Sequence, residues 1–591
     1  MDSKMSSRSL LNIGNDVVMM ILDELQQASP RSVVSMSLVH SSFRKLAQQC
    51  QYREMEFDHS SAASDRLKLA SEKQLLSAVR SLKVKGDAVN DKSSPWGLLA
   101  DLVPKMSGLK DITITSNNIP TEMVEAVQKC RDARLHIVIC CHDRGECLTL
   151  KQLKGVANLY SLDVDATYGH SDCLHVTEPL RDVLLTCSNL RILKIDIHQP
   201  RAGCVMYGLG PQYLGCGFKD GERPPPLEVL ELTDYPFGRP APNDVARGFG
   251  YHYDGYPGSV MEEDYWADTF DWTRLRRLRT RSVWLAMKFL PHLTALREIE
   301  ITGLGKDEDL KAFYAQIPSS LERISAPTLE SIGIDSVLRH SSHLRSLQLH
   351  SKEDGRDTWR EQTVNAESLR AIRDQCHLIE ELDIDLARDG EWPYEVLDVL
   401  ASFPRLKTLK LWLELGRNSD GSAVEPYATF SSCGTLFKYL WDHSAAQPPR
   451  LRELHVFSGA YRDIGIGYPS PNAFWSRYNS STFLCSLSER DDEASQGVYV
   501  TTCPNLDASE NKALQLALKH GKDPEKYIDR ESGGRSKKAA SKRTSRRSGR
   551  RDSFEDERER TLKHWADQAS QERMKVAWKG PTSQNAWKPH Y

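Results

Sequence analysis

Apolar residues follow two different rhythms along this chain. Between residues 10 and 57 they recur at helical spacing. Val17, Val18, Ile21, Leu22 and Leu25 form one set, with Asn15 or Asp16 placed to cap it. Pro30 cannot continue that helix, so a break falls in the segment around it. Val33, Val34, Met36, Leu38 and Val39 form a second set, and Phe43, Leu46 and Ala47 a third. The pattern predicts three short helices around a core that is marginal alone.

From about residue 79 to 457 the rhythm changes to a returning phrase, LxxLxL with β-branched substitutes. Its clear copies are Val79-Leu82-Val84, Leu109-Ile112-Ile114, Leu159-Leu162-Val164, Leu190-Leu193-Ile195 and Leu227-Leu230-Leu232. They continue with Leu296-Ile299-Ile301, Leu344-Leu347-Leu349, Ile379-Leu382-Ile384, Leu406-Leu409-Leu411 and Leu451-Leu454-Val456. Weaker copies start at Leu275 and Leu321, and residues 135 to 139 form a further candidate strand. The alternating half of each phrase turns one side of a short strand inward. Amphipathic helical stretches such as LRDVLLTCSN and LRAIRDQCHL alternate with the phrases. Stacking such units buries both apolar sides and displays the polar positions of the strands.

The stretch LLNIGNDVVMMILDELQQASPRSVVSMSLVHSSFRKLAQQCQYREMEF resembles an F-box. Ile21-Leu22-Asp23-Glu24-Leu25 matches the first part of that pattern, and the run from Ser37 to Ala47 matches the second. The resemblance covers roughly 50 of the 591 residues. It departs from the family in two places. Leu11-Asn12-Ile13 replaces the Leu-Pro opening, and Asp23-Glu24 stands where a serine or small residue is common. The resemblance implies docking of the Skp-family linker of a cullin–RING ubiquitin ligase. Leu11, Ile21, Leu22, Leu25, Leu38, Val39 and Phe43 would be divided between that contact and the unit's own core. The repeat region in turn resembles the irregular leucine-rich repeats found behind F-boxes, with copies spaced about 21 to 50 residues apart.

The expected fold is therefore α/β. A helical F-box at 10–57 precedes an irregular leucine-rich-repeat solenoid at 75–528, interrupted by insertions at about 233–272 and 459–500. A basic, low-complexity, disordered tail follows at 529–591, with a terminal helical segment. The first insertion mixes Tyr251, Tyr253, Tyr265, Trp266 and Trp272 with acids and glycines. Such a loop either binds a target, for instance a basic segment, or packs its aromatics over the repeats. The second insertion reads as a surface loop. In the tail, Lys537, Lys538, Lys542, Arg543, Arg546, Arg547, Arg550 and Arg551 resemble a nuclear localisation signal, or form a solvated basic linker.

Charge and chemistry narrow the function. The formal net charge of -3 does not suit a coat for nucleic acid or an anionic membrane, so weak contact through the tail is all that is expected there. No apolar run approaches the ~20 residues of a membrane span, and the N-terminus lacks the pattern of a secretory signal. Thirteen cysteines without a CxxC pair read as reduced thiols of a cytoplasmic or nuclear protein. Cys130, His136, Cys140, Cys141, His142 and Cys147 cluster, but their spacing suits buried thiols better than zinc. No nucleophile elbow, HExxH or Walker motif occurs, so neither a catalytic residue nor a cofactor is expected. The expectation is a non-catalytic adaptor that holds a linker, a cullin and a target protein together. The alternative is a repeat scaffold working outside any ligase.

Overall fold

A computed structural model describes residues 14–28, 30–58, 60–86, 96–141, 147–167, 174–198, 215–238, 261–302, 306–351, 363–414, 425–426, 428–446, 449–458, 481–487 and 499–502. These fall into two compact units, the first reaching Leu296 and the second starting at Arg297.

The first unit opens with helices α1 (Asn15–Ala28), α2 (Pro30–Val39) and α3 (Ser41–Gln51). Asn15 is the first residue of α1 rather than its cap, and the Gly14 carbonyl accepts from the amides of Val17 and Val18. Pro30 opens α2, where its missing N–H costs nothing. Val18, Leu22, Val33, Phe43, Ala47 and Cys50 form a core belonging to these three helices.

Eight parallel strands follow, each paired with the next in chain order. They are β1 (Glu54–Phe57), β2 (Ser81–Lys85), β3 (Asp111–Thr115), β4 (Arg134–Cys141), β5 (Leu159–Thr167), β6 (Ile192–His198), β7 (Val229–Asp234) and β8 (Arg277–Thr280). Helices α4 (Ser61–Glu72), α5 (Trp96–Leu102), α6 (Thr121–Lys129), α7 (Leu148–Gln152), α8 (Leu174–Thr186), α9 (Glu262–Thr269) and α10 (Val283–Phe289) lie in the connections. β1 was expected as the tail of the helical unit. Its alternation of exposed Glu54 and Glu56 with buried Met55 and Phe57 makes it the first strand, with Met55 beside Leu82 and Phe57 beside Val84.

The second unit repeats the arrangement with parallel strands β9 (Glu298–Ile301), β10 (Arg323–Ala326), β11 (Ser346–Leu349), β12 (Glu381–Asp385), β13 (Thr408–Leu413) and β14 (Glu453–Ser458). Its helices are α11 (Asp307–Gln316), α12 (Leu329–Ile332), α13 (Ile334–Leu338), α14 (Ala366–Gln375), α15 (Tyr394–Ala401) and α16 (Phe430–Asp442). The expected second surface loop differs. Within it, β15 (Ser481–Leu487) turns back antiparallel on β14, and β16 (Tyr499–Thr502) pairs with β15.

Every copy of the leucine phrase ends on a strand, the weaker ones at Leu275 and Leu321 included, and residues 135–139 lie within β4. The leading residue of each copy is buried at the strand entry, and the alternating pair behind it is buried on the strand. The entries of the second unit also form a backbone ladder. The amides of Glu322, Arg345, Glu380, Lys407 and Arg452 each donate to the preceding strand's entry residue, beginning with the Arg297 carbonyl. Opposite charges meet along it, with Arg297 on Glu322 at 2.6 Å, Arg345 on Glu380 at 3.1 Å and Lys407 on Glu380 at 2.6 Å. No helix among the described residues is long and apolar enough to cross a membrane.

Candidate functional site

The three N-terminal helices carry more apolar surface than their core can use. Along α1, Val18 and Leu22 point inward with Met19 and Leu25 partly covered. Val17 and Met20 point outward, Met20 with 67% of its surface exposed. Among the described side chains of α2 only Val33 is fully buried, because a ten-residue helix offers the small core a single stripe. Val34 and Leu38, four residues apart and so on one helical face, remain in solvent, as does Val39. Leu38 is 75% exposed and Val39 68%. Five large apolar side chains are thus exposed among the described residues of α1 and α2.

The residues expected to share duties therefore separate. Leu38 and Val39 are displayed, while Leu22 and Phe43 are spent on the internal core, where no linker can touch them. Ile21 is half-buried, and Leu25 packs partly against the core. Val17, Met20 and Val34 join the displayed set. For Val17 and Met20 the signal was the width of the run VVMMIL, which exceeds the single stripe a core-facing helix needs. Leu11 lies outside the described residues.

The described aromatics of the first insertion pack inward. Trp266 and Trp272 are buried, and the Trp272 indole N–H donates to the Trp266 carbonyl at 2.9 Å. Trp272 also stacks on Phe289 of α10, with centroids 4.2 Å apart. Both are core residues and not a displayed target-binding surface, Trp266 on the buried side of α9 and Trp272 just past its end. The Tyr265 hydroxyl is tied down within 2.6 Å of the Lys219 carbonyl and 2.7 Å of that of Glu222. Tyr251 and Tyr253 lie outside the described residues, as do Lys537, Lys538, Lys542, Arg543, Arg546, Arg547, Arg550 and Arg551.

At the start of α9 sits a carboxylate that the sequence did not single out. Glu262 is fully buried and accepts from the amides of Cys216 at 2.9 Å and Gly238 at 2.7 Å, and from the Tyr235 hydroxyl at 3.1 Å. Burial outweighs these donors and pushes its carboxyl up to about 7. Gly215 makes room for it. Its φ is +56°, and a Cβ there would meet Glu262 Oε2 at 1.6 Å.

On the polar side of the strands, Asp165 of β5 and Asp196 and His198 of β6 place donor atoms within 4.8 Å of one another. The His198 ring lies between Thr167 Oγ1 at 3.2 Å and Asp196 Oδ1 at 3.4 Å. Of the clustered cysteines expected as buried thiols, Cys147 is buried, Cys130 and Cys141 are half-buried, and Cys140 at the end of β4 is exposed. Cys130 sits within reach of the Val103 carbonyl, and burial pushes the Cys147 thiol up to about 12. His142 lies outside the described residues.

No protein-family model matches this chain, and no curated protein matches it either.

Proposed function

We propose that this chain is a substrate-recognition adaptor of a cullin–RING ubiquitin ligase. Val17, Met20, Val34, Leu38 and Val39 dock a Skp-family linker, which joins the chain to the cullin. The remaining strands and helices stack as a leucine-rich-repeat solenoid whose polar strand side holds a target protein. No bond is made or broken on this chain. Its contribution is proximity, which raises the effective concentration of target lysines near a charged ubiquitin-conjugating enzyme. The reading places the protein in the cytoplasm or nucleus.

One observation carries the reading. A three-helix unit with a closed core of its own leaves Leu38 and Val39 mostly exposed, directly ahead of a leucine-phrased sheet. Co-purification of the tagged chain with the Skp-family linker tests it, beside a folded Leu38→Asp, Val39→Asp variant. Recovery with the native chain and loss with the variant supports the adaptor. A well-folded native chain that recovers no linker overturns it.

A second reading has its own support. Leu11-Asn12-Ile13 lacks the family's Leu-Pro opening. A repeat scaffold binding proteins outside any ligase would have no use for that opening.

A further inference from the structure

Only Tyr52 and Arg53 separate the last N-terminal helix from the first strand. Both are held. The Tyr52 amide donates to the Gln48 carbonyl at 3.2 Å, and the Arg66 guanidinium lies 5.4 Å from the centre of the Tyr52 ring. Arg66 also donates to the Gln51 carbonyl at 3.0 Å. Arg53 works in two directions. Its carbonyl accepts from the amides of Arg80 at 2.8 Å and Ser81 at 2.9 Å, which open β2. Its guanidinium forms an ion pair and hydrogen bond with Asp23 of α1. Asp23 in turn stands 3.6 Å from the Cys50 thiol of α3, which also donates to the Leu22 carbonyl at 3.5 Å. One residue thus grips the sheet by its backbone and the helix bearing Met20 by its side chain.

We infer that Arg53 is a positioning residue, paired with Asp23, that sets the angle at which the exposed apolar face is presented relative to the first strands. The geometry stands by itself; its use in setting linker against target rests on the adaptor reading. It also accounts for Asp23, one of the two places where the chain departs from the F-box pattern. A serine there would offer the guanidinium no negative charge. The helical core is formed by residues of the three helices, and this polar junction is one of the ties that join it to the strands. Both partners are about one-third exposed, so the pair adjusts orientation without being needed for folding.

The test uses the full chain with ketone-reactive spin labels, introduced as unnatural amino acids at Ser35 of α2 and Glu122 of α6, both exposed. Pulsed electron paramagnetic resonance then reads the distance distribution between them. The native chain is expected to give one narrow population. Arg53→Met and Asp23→Asn should each raise the off-angle population roughly two- to fivefold, the scale of an exposed ion pair. Arg53→Lys should keep the narrow population, and the swap of Asp23→Arg with Arg53→Asp should restore it. Melting of the helices should barely move. Distributions as narrow in Arg53→Met and Asp23→Asn as in the native chain overturn the inference, and so does a swap that restores nothing while folded. The measurement is made without any linker, so failure of the chain to bind one would count against the adaptor reading and leave this result standing.

Discussion

Trp412 lies flat against His350, with ring centroids 3.7 Å and planes 12° apart, although β12 runs between the two positions. The rings lean toward each other over β12 and roof its acids. Asp385 meets His350 Nδ1 at 2.6 Å and the Ser351 amide at 2.8 Å, and Asp383 accepts from the Trp412 indole at 2.5 Å. Phe457 of β14 stacks on the far face of Trp412 at 4.1 Å. Two carboxylates are thereby buried on the polar side of a sheet, each with a donor supplied by the roof.

Trp412→Phe keeps a ring in the stack but removes the donor to Asp383. A buried acceptor left without its partner costs about 1–3 kcal/mol. Asp383→Asn keeps an oxygen facing the indole and should cost less. Urea denaturation followed by circular dichroism should rank Trp412→Phe below Asp383→Asn, with the native chain the most stable. The reverse order would mean that the ring contacts, and not the hydrogen bond, hold the roof.

The two classes of residue on the N-terminal helices should respond oppositely. Leu38→Asp or Val39→Asp touches solvent-facing positions, so the melting temperature should hardly change while linker capture falls at least about tenfold. Leu22→Ala and Phe43→Ala empty a closed core and should cost about 2–5 kcal/mol. They would then lose linker capture only because the helices melt. Circular dichroism of each variant beside the capture assay separates the cases.

How far the sequence reached depends on what each position's state is decided by. Leu406, Leu409 and Leu411 announced β13 because alternation is a property of the strand itself. The partnership of Trp412 with His350 was invisible, since it depends on lateral register across three strands. β1 and β15 did carry a signal, in the alternation of Met55 with Phe57 and of Phe483 with Cys485. Each stood outside the leucine phrase and was absorbed into a neighbouring segment. For Trp266 and Trp272, aromatics among acids fit a binding loop and a packed one equally, and only the seating of α9 decides. On α1 and α2 the excess of apolar residues was readable, but which of them face inward depends on how three helices meet.

Gly215 and Glu262 should be inseparable. Gly215→Ala combines a left-handed backbone with a Cβ driven into a carboxylate, and should cost at least about 1–3 kcal/mol. Glu262 also sets a pH dependence. Its carboxyl is raised from the ordinary 4.5 to about 7, first by burial, so the neutral form is favoured in the folded chain. The associated stability is complete below about pH 4.5 and is lost as pH rises through about 7, an effect on the order of 3 kcal/mol. Denaturation midpoints of the first unit should fall across that window in the native chain. Glu262→Gln has its own baseline cost from the lost acceptors, yet its profile should be flat there. A native profile as flat as the variant's would remove Glu262 from the account.

His340 gives the second unit the opposite sign. Its ring is buried, and Nδ1 accepts from the Leu321 amide at 3.3 Å at the entry to β10. An acceptor must be unprotonated, so the proton of the neutral ring sits on Nε2. Burial, with Arg339 and His343 adding smaller effects, lowers its pKa from 6.5 to about 4. A depressed histidine contributes stability that is present above about pH 6.5 and lost as pH falls toward 4. Acid therefore weakens the second unit over much of the range in which it strengthens the first at Glu262. His340→Asn offers an oxygen to the Leu321 amide and cannot titrate, so it should flatten the acid side of the second unit's profile. Hydrogen exchange of the Leu321 amide, followed from pH 7 to pH 4.5, reads the site directly. Protection should fall with acid in the native chain and stay level in the variant, and equal behaviour in both would place the acid sensitivity elsewhere.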